Sequence, residues 1–334
     1  MPTRRRDDLV LPPGRPGLSA RGLKIGHLRL MAALGRWGQI SRAAQDLGLT
    51  QPAASRLAAE VQHIVGKPVY DRTGRGVELT EAGQMLARRA LRALQEIDDA
   101  GREIAELDRA PSGEVRIGSV TGPAIEHVMP ILRAARLSMP GVTIAVEVAT
   151  SDQLCAHLMD GRIDIALGRL TGTGDADLIE MQPIAPEPVD LAVRAGHPLL
   201  REQPVPAARL LDFSWVLPMD GAILRDTVTE ALARRGLSRP PNAFVTSSFL
   251  LTLALVQETN AIAPVAAPVA RAFSGASGGI RRLASDLVVE VETFGLMMRR
   301  GRQLTPAGRA VLALLRSQIA AGRPPQLEAA RPIA

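Results

Sequence analysis

The chain has 334 residues, 46% of them apolar, enough for about two or three domains with ordinary packed cores. Its one cysteine, Cys155, excludes an internal disulfide. Five histidines without cysteine partners give no zinc spacing, so neither a metal nor another cofactor is expected. The formal charge of +6 is unevenly spread: residues 1–94 hold 16 Lys/Arg against 7 Asp/Glu, net +9, whereas residues 95–334 hold 24 against 27, net −3. A basic front end suits a phosphate-binding module, and a near-neutral remainder suits a ligand or assembly domain.

Residues 1–22, rich in Arg, Pro and Gly, read as a disordered basic extension. They lack the apolar core of about 7 to 15 residues found in a secretory signal. No later stretch reaches the roughly 18 uninterrupted apolar residues of a membrane span; the run Phe249 to Val256 is short. The expectation is a cytoplasmic protein with no membrane association.

From Ile25 the apolar residues Ile25, Leu28, Met31, Ala32 and Leu34 recur at helical spacing and predict a first amphipathic helix. Ser41 is placed to cap a short second helix with Ala44 and Leu47 inward, ended by Gly48. Thr50 is placed to cap a third helix with Pro52 in its first turn and Ala54, Leu57, Ala58, Val61 and Ile64 as its buried stripe. That leaves Gln51, Pro52, Ser55, Arg56 and Ala59 on an open face. Two helices joined by a tight turn, the second presenting amide, hydroxyl and guanidinium groups, match a helix-turn-helix; a helical hairpin with a solvated polar face is the plainer alternative. Val69–Asp71 and Val77–Leu79 then predict two short strands around Arg72, Thr73, Gly74, Arg75 and Gly76, a wing with arginines at its tip. Gln and Arg can read base edges and small hydroxyls can hold phosphates. Arg72 has a competing reading, an anchor to an acidic neighbour such as Glu60.

The run from Ser41 to Arg56, SRAAQDLGLTQPAASR, continuing through Gly66, Tyr70 to Thr73 and Leu79 to Gly83, resembles the LysR-type transcriptional regulators. The resemblance implies a DNA-binding dimer or tetramer whose C-terminal half has a two-lobed, periplasmic-binding-protein-like α/β fold and binds an effector. It implies promoter DNA, a small-molecule effector and RNA polymerase as partners. It also places Ser41, Thr50, Gln51, Pro52, Ser55 and Arg56 in the DNA-reading helices, and Arg72, Thr73 and Arg75 in the wing. Two departures stand out: Gln62 replaces the family's usual acidic residue, and Pro68 precedes the first wing strand. The segments Ser151-Asp152, Gly161 to Asp164 and Thr246 to Leu251 resemble the galactose-binding-protein-regulator subfamily, which points to a sugar, sugar acid or aromatic acid as effector.

From Glu81 to about Asp108 there is no proline, and Leu86, Ala90, Ala93, Ile97, Ala100, Ile104 and Leu107 form a heptad seam. It predicts a long helix that pairs with a second copy or, alternatively, packs on its own chain. Pro111, Ser112 and Gly113 then mark a hinge. The expected domains are a winged helix-turn-helix over 23–82, a linker helix over 83–110 and an effector domain over 113–323. Its first lobe would comprise about 113–186 and 282–323, and its second 187–281.

The effector domain alternates strand and helix, which predicts an α/β fold with a largely parallel sheet. In such sheets ligands bind at the carboxyl ends of the strands. The loops there offer Ser119 and Thr121, then Ser151, then Gly168 and Arg169, and from the second lobe Thr246 and Ser248. Together they could hold a carboxylate, phosphate or polyol, with Arg169 supplying charge; singly, each Ser or Thr could be no more than a helix cap. No nucleophile elbow, P-loop or dinucleotide fingerprint is present, so no catalytic residue is expected. A solute-binding protein, or an enzyme of that fold, with an incidental basic N-terminus is the competing class.

Overall fold

The computed structural model describes residues 17–73, 76–106, 113–172, 178–274 and 279–322; the side chains of residues 72, 102, 103, 105 and 106 lie outside the description. The chain divides into two compact units, parted between Gly101 and Arg102. Among the described residues no helix is long and apolar enough to cross a membrane, and no group of three or more His, Cys, Asp or Glu could hold a metal ion.

In the first unit α1 (Ile25–Trp37), α2 (Ile40–Asp46) and α3 (Gln51–Val65) precede a hairpin of β1 (Tyr70–Thr73) and β2 (Gly76–Leu79), and α4 (Glu81–Glu106) follows. Leu30, Met31, Leu34, Ala43, Ala44, Ala54, Ala58, Val61, Val69, Leu86 and Ala90 form one core. The predicted α1 stripe is shifted: Ile25 is exposed, and Leu30, Ala33 and buried His27 take its place. Residues 18–22 form a turn in which Leu23 N donates to Leu18 O at 3.0 Å, and both leucines pack on the core. The expected disorder therefore does not reach them, because Leu18 supplies an apolar anchor; residues 1–16 lie outside the description.

The second unit holds a seven-stranded sheet in the order β10-β6-β11-β5-β3-β4, with β9 also pairing β6. Its strands are β3 (Gly113–Ser119), β4 (Val142–Val148), β5 (Ile165–Gly168), β6 (Ile179–Arg194), β9 (Ala263–Ala266), β10 (Ile280–Leu283) and β11 (Val289–Arg299). β7 (Trp215–Leu217) and β8 (Ala243–Val245) form a separate parallel pair. After β3 the chain is helical through α5 (Thr121–Pro123), a π-helix (Ala124–Val128) and α6 (Met129–Ser138). The remaining α-helices among the described residues are α7 (Ser151–Met159), α8 (Ala207–Leu210), α9 (Ile223–Arg234), α10 (Phe249–Glu258), α11 (Ala267–Phe273) and α12 (Pro306–Gly322), with a 3-10 turn at Pro198–Arg201.

The sheet is mixed, not largely parallel. β3 runs parallel to β4 and β5, but β11 returns antiparallel between β5 and β6. Where β11 passes β6, Gly295 is required: a Cβ there would lie 2.6 Å from the Gln182 carbonyl oxygen. Two apolar cores lie around β3, β5, α6, α7 and α12, and two others around β6, β7, α9, α10 and α11. Leu283, Leu287 and Val289 belong with Leu191, Val193 and Trp215. The return to the first set of cores therefore comes along β11, about ten residues later than the expected boundary at 282. Arg281 and Arg282, at the expected boundary, lie inside β10, which hydrogen-bonds to β6.

Candidate DNA-binding and effector sites

The third helix presents two faces. Ala54, Ala58 and Val61 are buried, while Gln51, Pro52, Arg56 and Ala59 are exposed and Ser55 is half-buried. Thr50 stands at the N-cap but its side chain makes no capping bond, and Pro52 occupies the first turn, where a missing N–H costs nothing. Arg56 Nε lies 3.5 Å from the Pro52 carbonyl. Leu57 and Ile64 are only half-buried. Ser41 does not cap α2: Gln39 is the N-cap and Ser41 lies within the first turn, exposed. Gly48, at φ +65°, ends that helix as expected.

The wing hairpin is held from below by the residues that depart from the family pattern. Gln62 Oε1 accepts from Val69 N at 3.2 Å, and the Pro68 carbonyl accepts from Thr80 Oγ1 at 2.9 Å. A neutral amide thus fixes the chain just past the proline. Thr73 pairs with Gly76 and is exposed; Gly74, Arg75 and the Arg72 side chain lie outside the described residues. Glu60, the acidic neighbour considered for Arg72, meets His27 Nε2 at 3.1 Å, while His27 Nδ1 accepts from Lys24 N.

In the second unit the carboxyl ends of β3, β4 and β5 converge. Ala149 N donates to Ser119 O at 3.2 Å and Val120 N to Leu167 O at 2.9 Å. Ser119 is fully buried and its hydroxyl donates to the Val120 carbonyl at 2.9 Å. Thr121, half-buried, opens α5. Ser151 follows a Thr150 N-cap that forms a capping box with Gln153, so its own hydroxyl is not a cap; it accepts from Arg169 N at 3.1 Å. A Cβ at Gly168 would lie 3.0 Å from Met297 Cε and 3.3 Å from Leu154 Cδ1, tighter than ordinary contact. Cys155 is buried with Sγ 3.4 Å from the Arg169 carbonyl.

Arg169 is not the free charge that the sequence suggested. It is buried, its Nη2 donates to Glu187 Oε2 at 2.7 Å, and its Nε donates to the Glu292 carbonyl at 2.7 Å. Glu187 was missed because it sits on β6 beside Pro186 and Pro188, where the sequence read as a lobe boundary. A lone acid between apolar Ile184 and Val189 was the available signal. Thr246 and Ser248 serve their own turn: Thr246 Oγ1 accepts from Ser248 N at 3.0 Å, and Ser248 caps α10 by accepting from Leu251 N at 3.2 Å. For these two the helix-cap reading describes what the structure contains.

Comparison with known proteins draws the two units together. Residues 25–84 match the family model of bacterial regulatory helix-turn-helix proteins of the lysR family, and residues 108–320 match the LysR substrate binding domain. The chain belongs to the LysR family of transcriptional regulators. The regulator is 41% identical over 253 residues to the HTH-type transcriptional regulator GbpR of Rhizobium radiobacter, covering 75% of this chain and 84% of that one. It is 36% identical over 301 residues to GbpR of Azospirillum brasilense, covering 90% and 87%. Its fold is similar to that of full-length OxyR from Pseudomonas aeruginosa (TM-score 0.62, 20% identity, 89% of this chain and 94% of that one). It is also similar to full-length CbnR solved with its target DNA (TM-score 0.60, 23% identity, 90% and 99%). The regulator is accordingly a DNA-binding protein with an effector-binding domain, and not an enzyme.

Proposed function

We infer that the regulator acts in the cytoplasm, binding promoter DNA as a homodimer or homotetramer through the open face of α3 and the β1–β2 hairpin. A small-molecule effector, a sugar, sugar acid or aromatic acid, binds where the loops after β3, β4 and β5 meet and biases the arrangement of the subunits. RNA polymerase is the partner met at the promoter. The two-sidedness of α3 carries this reading: Gln51 and Arg56 are exposed at its start while Ala54, Ala58 and Val61 anchor its back. Pairing is supported by α4, whose early seam residues Leu86 and Ala90 are buried in the core while Ile97 and Ile104 are exposed. The effector domain is read as two lobes crossed by β6 and β11, since separate apolar cores lie around different parts of these strands. A ligand shifts such an assembly only by binding one arrangement more tightly than another.

Titration of the full chain onto its own promoter fragment tests the DNA-binding part. The association constant should fall linearly in log–log terms as salt rises. Arg56→Ala should lose about 1–3 kcal/mol of discrimination between promoter and random duplex. Salt-independent binding, or unchanged discrimination in the variant, contradicts the reading.

A further inference from the structure

The only basic side chain that the sequence offers among the effector loops already has a counter-ion. Arg169 and Glu187 meet at 2.7 Å with side chains 8% and 10% exposed, and Arg169 also holds the Glu292 carbonyl. The second carboxylate oxygen of Glu187 lies over the backbone of Gly122, where a Cβ would stand 2.0 Å from it. The carboxylate thus reaches from the crossing strand β6 to the first turn after β3, among the loops that carry Thr121, Ser151 and Gly168.

We propose that Glu187 is a specificity-determining residue: as the resident counter-ion of Arg169 it closes the site to carboxylate effectors and selects an uncharged, hydroxyl-bearing molecule. This rests on the reading that the effector binds at these loops. An incoming carboxylate would have to share one guanidinium with a carboxylate already paired to it, and two like charges in a poorly solvated site repel strongly. Displacing Glu187 instead would leave a buried charge unpaired. A hydroxyl meets neither obstacle, because it donates to a carboxylate and accepts from a guanidinium.

The test uses the full chain and paired probes that differ in charge: D-galactose with D-galacturonate, D-glucose with D-glucuronate, and benzyl alcohol with benzoate, each titrated calorimetrically. At least one neutral probe is expected to bind about tenfold or more tightly than its acid, a difference of about 1.4 kcal/mol. Glu187→Gln frees Arg169 and is expected to reverse the preference. Should the single variant fail to fold, Arg169→Gln with Glu187→Gln removes both charges together and is expected to bind the two members of a pair alike. A wild-type preference for the acid overturns the proposal, as does an unchanged preference in a folded Glu187→Gln variant; binding of none of the six probes overturns the class assigned. Neutral binding unaffected by both Thr121→Val and Glu187→Gln would instead show that the effector binds elsewhere, and the site reading itself fails. Binding weakened by Thr121→Val with acids preferred fails the Glu187 proposal alone.

Discussion

At Gly83 one methyl group decides how the wing meets the long helix. A Cβ there would lie 1.8 Å from the Val69 carbonyl oxygen, which also accepts from Thr80 N at 3.2 Å, so neither partner can withdraw cheaply. Gly83→Ala is expected to cost about 1–3 kcal/mol or more by overpacking, read as a lowered melting temperature of the full chain. Asp164 is a second such point. It accepts from Arg116 N at 2.8 Å and Arg116 Nη2 at 3.0 Å, and from Arg302 Nη2 at 2.7 Å. Asp164→Ala removes the carboxylate that both guanidinium groups share, while Arg302 keeps the Ile163 carbonyl at 3.1 Å, and a loss of about 3 kcal/mol in urea denaturation is expected. His197 donates from Nε2 to the Asn260 carbonyl and accepts from Leu199 N at Nδ1, so its neutral form fits the site. Burial lowers its pKa, opposed by the Asn260 bond and reinforced by Arg194; burial also lowers that of His127. Below about pH 6.5 the unfolded chain therefore takes up protons that the native one refuses, and stability falls with acidification. The urea midpoint should drop between about pH 7.5 and about pH 5.5, and drop less in His197→Asn; an equal drop in both would contradict the assignment.

At the scale of elements, legibility followed the strength of local signals. α7 follows its local signal, since Ser151 to Met159 carries a clear apolar period and ends before Gly161. β6 extends from Ile179 to Arg194, through a stretch whose local signals are mixed. Pro183, Pro186 and Pro188 remove backbone donors and argue against a strand; Pro183 and Pro186 fall where β11 shifts register between Val291 and Gly295, while Pro188 pairs with Glu290. The linker helix was legible as a seam, but its two halves do different work. Leu86 and Ala90 pack inward, whereas Ile97 is 50% and Ile104 68% exposed. Replacing both with Glu should lower the oligomeric state in sedimentation while circular dichroism stays unchanged. An unaltered oligomer would show that this half of α4 does not pair.

For the whole molecule, the charge division and the motif from Ser41 to Gly83 were enough to indicate a DNA-binding front and a ligand-binding remainder. The meeting of the loops after β3, β4 and β5 follows from the strand pattern, but the contacts their side chains make do not. Ser119, Ser151, Gly168 and Arg169 converge through hydrogen bonds across three strands, yet Arg169 is matched by an acid 18 residues away in sequence, a pairing that no local period encodes. Thr246 and Ser248 offered the same hydroxyls and serve only their own turn. Sequence reading by α3 in a symmetric assembly is open to direct test by hydroxyl-radical footprinting of the full chain on its promoter. Two protected half-sites a whole number of helical turns apart, each turn about 10 base pairs, are expected, both erased by Gln51→Ala with Arg56→Ala in a chain of unchanged melting temperature. A footprint that survives the double substitution, or protection without half-site spacing, would contradict it.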